Sequence, residues 1–277
     1  MTPPSHRFSA PTTQGNALLS RWLPGAGDSP RRAVALRVLY RQSAAALIII
    51  GSSMLLLGSG LWPTLMPGES LRGLLWSLLA WLPVALGVML GMHRHLPHRR
   101  FGGANLITLV RAGMVCLLVG MVAGGEAVAS LWWPIGFATL ILVLDGADGW
   151  LARKQKLCSD FGYHFDMETD AFHVLVLCLL LLGFGKAGPW VLLGGLLRYL
   201  FLGAGLLLPR LRRPLPPSLR RKAGTVVLTL SLIVALVPAV PHPYSAASAA
   251  TGVVLVALSF LLDVLWLLRE PMKETPP

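Results

Sequence analysis

Residues 145–170 read DGADGWLARKQKLCSDFGYHFDMETD, and the rest of the chain is best read outward from them. Six of the chain's twelve acidic residues fall here: Asp145, Asp148, Asp160, Asp166, Glu168 and Asp170. They lie where two very apolar segments, 131–148 and 171–184, come together. Carboxylates at the mouth of a membrane-buried helix pair repel one another, and this costs free energy until a cation neutralises them. The stretch therefore predicts two apolar helices whose ends present acids to one point.

Composition agrees with that setting. The chain is 55% hydrophobic and 13% charged, with a mean hydropathy of +0.66, which excludes a soluble domain and predicts an all-α integral membrane protein. The net charge of +12 does not call for nucleic acid, because the basic residues cluster between apolar runs, where they face anionic lipid headgroups. Cys116, Cys158 and Cys178 follow no disulfide or zinc spacing and read as core cysteines. The first 43 residues hold no apolar run of signal-peptide length, so the first hydrophobic helix is expected to act as an uncleaved insertion signal.

A spanning helix needs about 20 mostly apolar residues. Eight segments meet or approach that length: 44–65, 72–93, 105–123, 131–149, 170–184, 189–208, 223–240 and 248–268. Eight spans place both termini on one side. The segments 1–43, 94–104, 150–169, 209–222 and 269–277 then hold 20 of the 24 Lys and Arg residues, while the opposite loops offer only Arg72 and Lys186. By the positive-inside rule the acidic stretch faces the cytoplasm, which is the inner face of the inner membrane if the source is bacterial. The expected organisation is a cytoplasmic, basic, partly disordered N-terminus over 1–43, two helices over 44–93, a six-helix membrane unit over 94–268 and a cytoplasmic tail over 269–277. Within the N-terminus, 31–43 suggests a short basic amphipathic helix at the interface. The Pro-rich basic run 209–222 suggests an extended connection.

Asp145 and Asp148 are three residues apart, Asp166 and Asp170 four, so each pair shares a helix face. A 17-residue loop, 149–165, is expected to join them and bring four carboxylates together. Four negative charges match two divalent cations, and oxygen-only ligands favour Mg²⁺ or Mn²⁺ over zinc. A two-metal centre suits displacement at phosphorus because it stabilises both the attacking and the leaving oxygen. Gly149 lets a ligand approach the backbone, Ala152 keeps the next turn small, Arg153 offers a planar fork for a diphosphate, and Gly162 opens the entry to the next helix.

The pattern Asp145-x2-Asp148-Gly149-x2-Ala152-Arg153-x8-Gly162-x3-Asp166-x3-Asp170 resembles the complete signature of the CDP-alcohol phosphotransferase family. Asn105-x2-Thr108-x2-Arg111, at the start of the third span, is similar to a second pattern of that family. The resemblance implies a six-helix core, usually homodimeric, leaving the first two spans as additions. It implies that Asp145, Asp148 and Asp166 bind the metals, and that Asp170 joins the second metal site and acts as general base on an acceptor hydroxyl. It implies that Asn105, Thr108, Gly149, Arg153 and Ser159, with Ala152 and Gly162 of the signature, surround the cytidine diphosphate part of the donor. The implied reaction is attack of an alcohol on the β-phosphorus of CDP-diacylglycerol, giving a phospholipid and CMP. A variant within the family transfers a CDP-linked headgroup onto diacylglycerol.

Other residues read as follows. Arg198 lies in mid-span, where an Arg faces a cavity or a partner, and the resemblance implies an acceptor contact for it. Glu168 points off the face of Asp166 and Asp170. HRHLPHRR, residues 93–100, reads as a basic interfacial collar, and Trp62, Trp76, Trp81, Trp132, Trp133, Trp190 and Trp266 as interfacial anchors. Asp263 is expected near the interface beside a basic residue. An ion-coupled transporter fits poorly, because its coupling acids belong near the bilayer midplane on broken helices. The acceptor alcohol itself is not legible.

Overall fold

The computed structural model describes residues 29–96, 98, 100–125, 128, 130–155, 159–208 and 218–269. Among them are eight α-helices and no strand: α1 (Ser29–Leu65), α2 (Ser70–Gly91), α3 (Gly103–Gly124), α4 (Trp132–Gln155), α5 (Asp160–Gly183), α6 (Leu192–Leu207), α7 (Leu219–Leu236) and α8 (Tyr244–Arg269). Each overlaps one of the eight apolar segments, though the helix over 223–240 ends at Leu236 and that over 189–208 begins at Leu192. Six are long and apolar enough to cross a membrane. The other two, α5 and α7, are interrupted by charge near their starts, at Asp160, Asp166, Glu168 and Asp170 in one and at Arg220, Arg221 and Lys222 in the other. Large exposed apolar side chains line most helices, among them Leu56, Leu82, Val143, Leu200, Leu206 and Leu262. Helices whose outer faces are this apolar need lipid, not water, around them. The protein is a multi-pass membrane protein.

Three expectations change. The basic segment 31–43 is not a separate interfacial helix but the first turns of α1, which runs for 37 residues. At 1.5 Å per residue this is about 55 Å, well beyond the roughly 30 Å apolar core of a bilayer, so the basic turns can project past it. The 17-residue loop is also absent: α4 continues to Gln155 and α5 starts at Asp160. Hydrophobicity falls at Asp145, but the backbone has no reason to stop there, since Trp150, Leu151 and Ala152 suit a helix. Finally, Trp62 and Trp81 are buried, Trp62 with 1% of its surface exposed, and are packing residues between helices rather than interfacial anchors. The expected disorder before residue 29 and most of the 209–222 connection lie outside the described residues.

Helix α3 is the hub. More than half of its apolar stretch is buried, against a third or less in the other five apolar spans, and it packs on α1, α2, α4 and α5. Small residues make this possible. A Cβ on Gly120 would lie 2.6 Å from the Gly73 carbonyl oxygen and 2.4 Å from Ser77 Oγ, so α2 and α3 touch through their backbones. On the other side, α5 packs on α6 and α7, and α7 on α8. Lys186 closes the end remote from the acids: its Nζ donates to the carbonyls of Val237 (3.2 Å) and Val240 (2.8 Å). Cys116 and Cys178 are buried free thiols, as expected of core cysteines.

Candidate active site

The hub helix carries Asn105, Thr108 and Arg111 at successive intervals of three residues, hence on one side of its first three turns. That side meets the C-terminal half of α4 and the first half of α5. Because both of those helices extend past the acids, Asp145, Asp148, Asp166 and Asp170 sit inside helices rather than at their ends, and are held by regular backbone.

All four converge on Arg111. Its Nη1 lies 2.5 Å from Asp148 Oδ2 and 2.7 Å from Asp166 Oδ1. Its Nη2 lies 2.7 Å from Asp145 Oδ1 and also pairs with Asp170 Oδ1. The Arg111 side chain is 1% exposed, whereas those of Asp145, Asp166 and Asp170 keep 28%, 40% and 29%. Three of the acids are thus accessible from outside, while the guanidinium they share is buried beneath them. Thr108 Oγ1 donates to Asp148 Oδ2 at 3.0 Å. One cation faces four carboxyl groups, so the cluster holds three formal negative charges in excess.

That excess is what a divalent cation can use. Carboxylate oxygens of Asp145, Asp148 and Asp166 all lie within 4.8 Å of one another, close enough to share an ion. Asp170 stands outside this trio but shares Arg111 with it. The donors are oxygens only, which fits Mg²⁺ or Mn²⁺ and not a soft metal.

A second constellation lies beside the first. Ser159 is the N-cap of α5, and its Oγ accepts from the Gly162 N–H at 3.0 Å. A Cβ on Gly162 would lie 2.9 Å from Asn105 Oδ1, so α3 and α5 meet here without room for a side chain. Asn105 is anchored in turn, its Nδ2 donating to the Phe101 carbonyl at 2.6 Å. Asn105 of α3 and the Ser159–Gly162 start of α5, distant in sequence, are therefore neighbours. Gly149 follows Asp148 on α4, half-buried. Ala152 and Arg153 fall on the last turns of α4, and their side chains lie outside the described residues.

Arg198 is not brought to the carboxylates. Its Nη2 lies 2.5 Å from Glu168 Oε1 and its Nη1 2.8 Å from Met167 Sδ. Glu168 is two residues from both Asp166 and Asp170, about 200° around the helix, and so faces away from them, as its spacing implies. Arg220 and Arg221 both reach the buried Asp263, Arg221 Nη1 at 3.5 Å, which confirms the expected basic neighbour.

Sequence reasoning missed two residues. Arg111 is visible in the Asn-x2-Thr-x2-Arg pattern, but nothing local shows that it joins acids 34 to 59 positions away. His95 is fully buried rather than part of an exposed collar, and bonds Ser159.

No curated protein and no solved structure matches the chain. The family model for CDP-alcohol phosphatidyltransferase matches residues 102–264, from the residue before α3 into α8, so it contains every acid of the cluster and leaves α1 and α2 outside. Because that match spans more than half of the chain, the chain belongs to the CDP-alcohol phosphatidyltransferase family.

Proposed function

We propose that this transferase makes a phospholipid by passing the phosphatidyl group of CDP-diacylglycerol to an alcohol, with release of CMP. The observation that carries the reading is the surplus of acid around Arg111: four carboxyls from α4 and α5 meet one buried cation from α3. Asp145, Asp148 and Asp166, with Asp170 completing the second site, would hold two divalent cations, Mg²⁺ or Mn²⁺. Bound there, the ions neutralise the donor's diphosphate and the departing CMP.

The chain's own groups do the rest. Asn105, Thr108, Gly149, Ala152, Arg153, Ser159 and Gly162 receive the cytidine diphosphate end, with the close-packed backbone at Gly162 setting its floor. Asp170 takes the proton from the acceptor hydroxyl. The hydroxyl oxygen bonds to the β-phosphorus, the bond from that phosphorus to the CMP oxygen breaks, and CMP carries away the bonding pair. An acceptor contact by Arg198 requires its pair with Glu168 to open. The distribution of Lys and Arg supports placing this end at the cytoplasmic face, where a lipid donor and a water-soluble acceptor meet. A homodimer is the family expectation.

The test is CMP release by purified protein in detergent, with CDP-diacylglycerol, Mg²⁺ or Mn²⁺, and a panel of acceptor alcohols. Metal-dependent CMP release stimulated by one acceptor, and lost in Asp170→Asn, supports the reading and names the acceptor. Release only from a CDP-linked headgroup with diacylglycerol reverses the roles of donor and acceptor. No release from either donor overturns it.

A further inference from the structure

Helices α1 and α2 lie outside the family match, yet they are tied to the corner where α3 and α5 meet at Gly162. The tie runs through His95, in the 3₁₀ turn Met92–His95 that ends α2. Its ring is fully buried. Nε2 lies 2.8 Å from the Arg100 carbonyl oxygen, and Nδ1 lies 2.7 Å from Ser159 Oγ. A carbonyl oxygen only accepts, so Nε2 carries the hydrogen; in the neutral ring Nδ1 is then an acceptor, and the Ser159 hydroxyl donates to it. The same Ser159 oxygen accepts from the Gly162 N–H. The result is a directed chain from Gly162 N–H to Ser159, from Ser159 to His95, and from His95 to the Arg100 carbonyl.

Two further contacts bring the added helices to the same place. Gln42 Oε1, on α1, accepts the Phe101 N–H at 2.9 Å, and the Phe101 carbonyl holds Asn105. Phe161, in the first turn of α5, meets His95 edge-on with ring centroids 6.0 Å apart and packs so close to Gly91 that a Cβ there would lie 2.6 Å from its ring. None of these contacts involves Arg111 or the four aspartates. Every one is a single step from Asn105, Ser159 or Gly162.

We propose that His95 is a positioning residue for the donor nucleotide, and that α1 and α2 serve the reaction by bracing the Asn105–Ser159–Gly162 corner through it. The proposal rests on the phosphatidyl-transfer reading above. With His95 in place the Ser159 hydroxyl hydrogen has one assignment, so its oxygen stays turned to Gly162. Without it the hydroxyl rotates, the cap loosens, and the first turn of α5 shifts against Asn105, where there is no slack to absorb the movement. Asp166 and Asp170, two and three turns further along α5 and held by Arg111, keep their places. The defect therefore falls on donor binding and spares turnover.

The experiment uses the full-length protein in detergent with saturating Mg²⁺ and acceptor, and compares His95→Ala with His95→Asn. The Asn Oδ1 takes the place of Nδ1 and can accept from Ser159. His95→Ala is expected to raise KM for CDP-diacylglycerol about tenfold with kcat within about threefold of wild type, the size of one lost buried hydrogen bond. His95→Asn is expected to recover most of that loss. Hydrogen exchange at the Gly162 amide should quicken about tenfold in His95→Ala and return towards the wild-type rate in His95→Asn. The proposal is overturned if both variants lose kcat and KM stays constant, or if His95→Ala matches wild type. Wild-type protein that releases no CMP overturns the phosphatidyl-transfer reading instead, and Gly162 exchange in the two variants then still decides whether His95 holds the cap.

Discussion

Among the described residues, ion pairs join different helices in three places, and the three differ in balance. Between α3, α4 and α5, four carboxyls surround one guanidinium. Between α7 and α8, two arginines meet the single acid Asp263, and between α5 and α6 Arg198 meets Glu168 one to one. Each site sits on helices and has at least one largely buried member, for which an unmatched charge is costly. The latter two carry no surplus of acid for a cation to complete. The first keeps a surplus of acid and so is a place that a cation would complete. Whether a buried charge is structural or functional here depends on the local sum, not on its presence.

The comparison can be broken at four points. The largest effect is expected from Asp170→Asn, which leaves the shape of the acid cluster but removes the base: kcat for CMP release should fall about 10³-fold. A fall below tenfold would take Asp170 out of the chemistry. Arg111→Met comes next. Losing the one internal counter-charge should cost about 3 kcal/mol of stability in chelator, and millimolar Mg²⁺ should restore more thermal stability to this variant than it adds to wild type. Equal Mg²⁺ effects on the two proteins would mean that Arg111 and a metal do not address the same carboxylates.

The two sites without surplus acid should behave otherwise. Asp263→Asn leaves two partly exposed arginines without their acid, so about 1–2 kcal/mol of stability is expected to go, with kcat/KM within about threefold of wild type. Glu168→Gln should show the least, under about 1 kcal/mol and within about twofold in activity, because that pair is open to solvent on the Glu168 side. A large loss of activity in Glu168→Gln with stability unchanged would bring Arg198 and Glu168 into the site after all.

The membrane class and the eight helices were legible in the sequence because lipid-facing segments must be apolar along their length. The four aspartates were legible because spacings of three and four put each pair on one helix face. Helix ends were not: α1 and α4 continue through charged residues, since hydrophobicity marks where lipid ends and not where a helix does. Arg111 and His95 escaped for a common reason. Arg111 meets acids on two other helices, and His95 meets a serine 64 positions away, so nothing in the local pattern of either residue points to its partner. Trp62 and Trp81 were misread because an interfacial and an interhelical tryptophan look alike until the neighbouring glycines are seen to be packed against them.

The most direct test of the account is Mn²⁺ binding to purified protein in detergent, followed by electron paramagnetic resonance, for wild type, Asp148→Asn and Asp263→Asn. The account predicts about two Mn²⁺ per wild-type chain, a loss of binding in Asp148→Asn and wild-type binding in Asp263→Asn. Wild-type protein that is folded yet binds no Mn²⁺, or Asp148→Asn protein that binds it as wild type does, would contradict the claim that the surplus of acid around Arg111 is a metal centre.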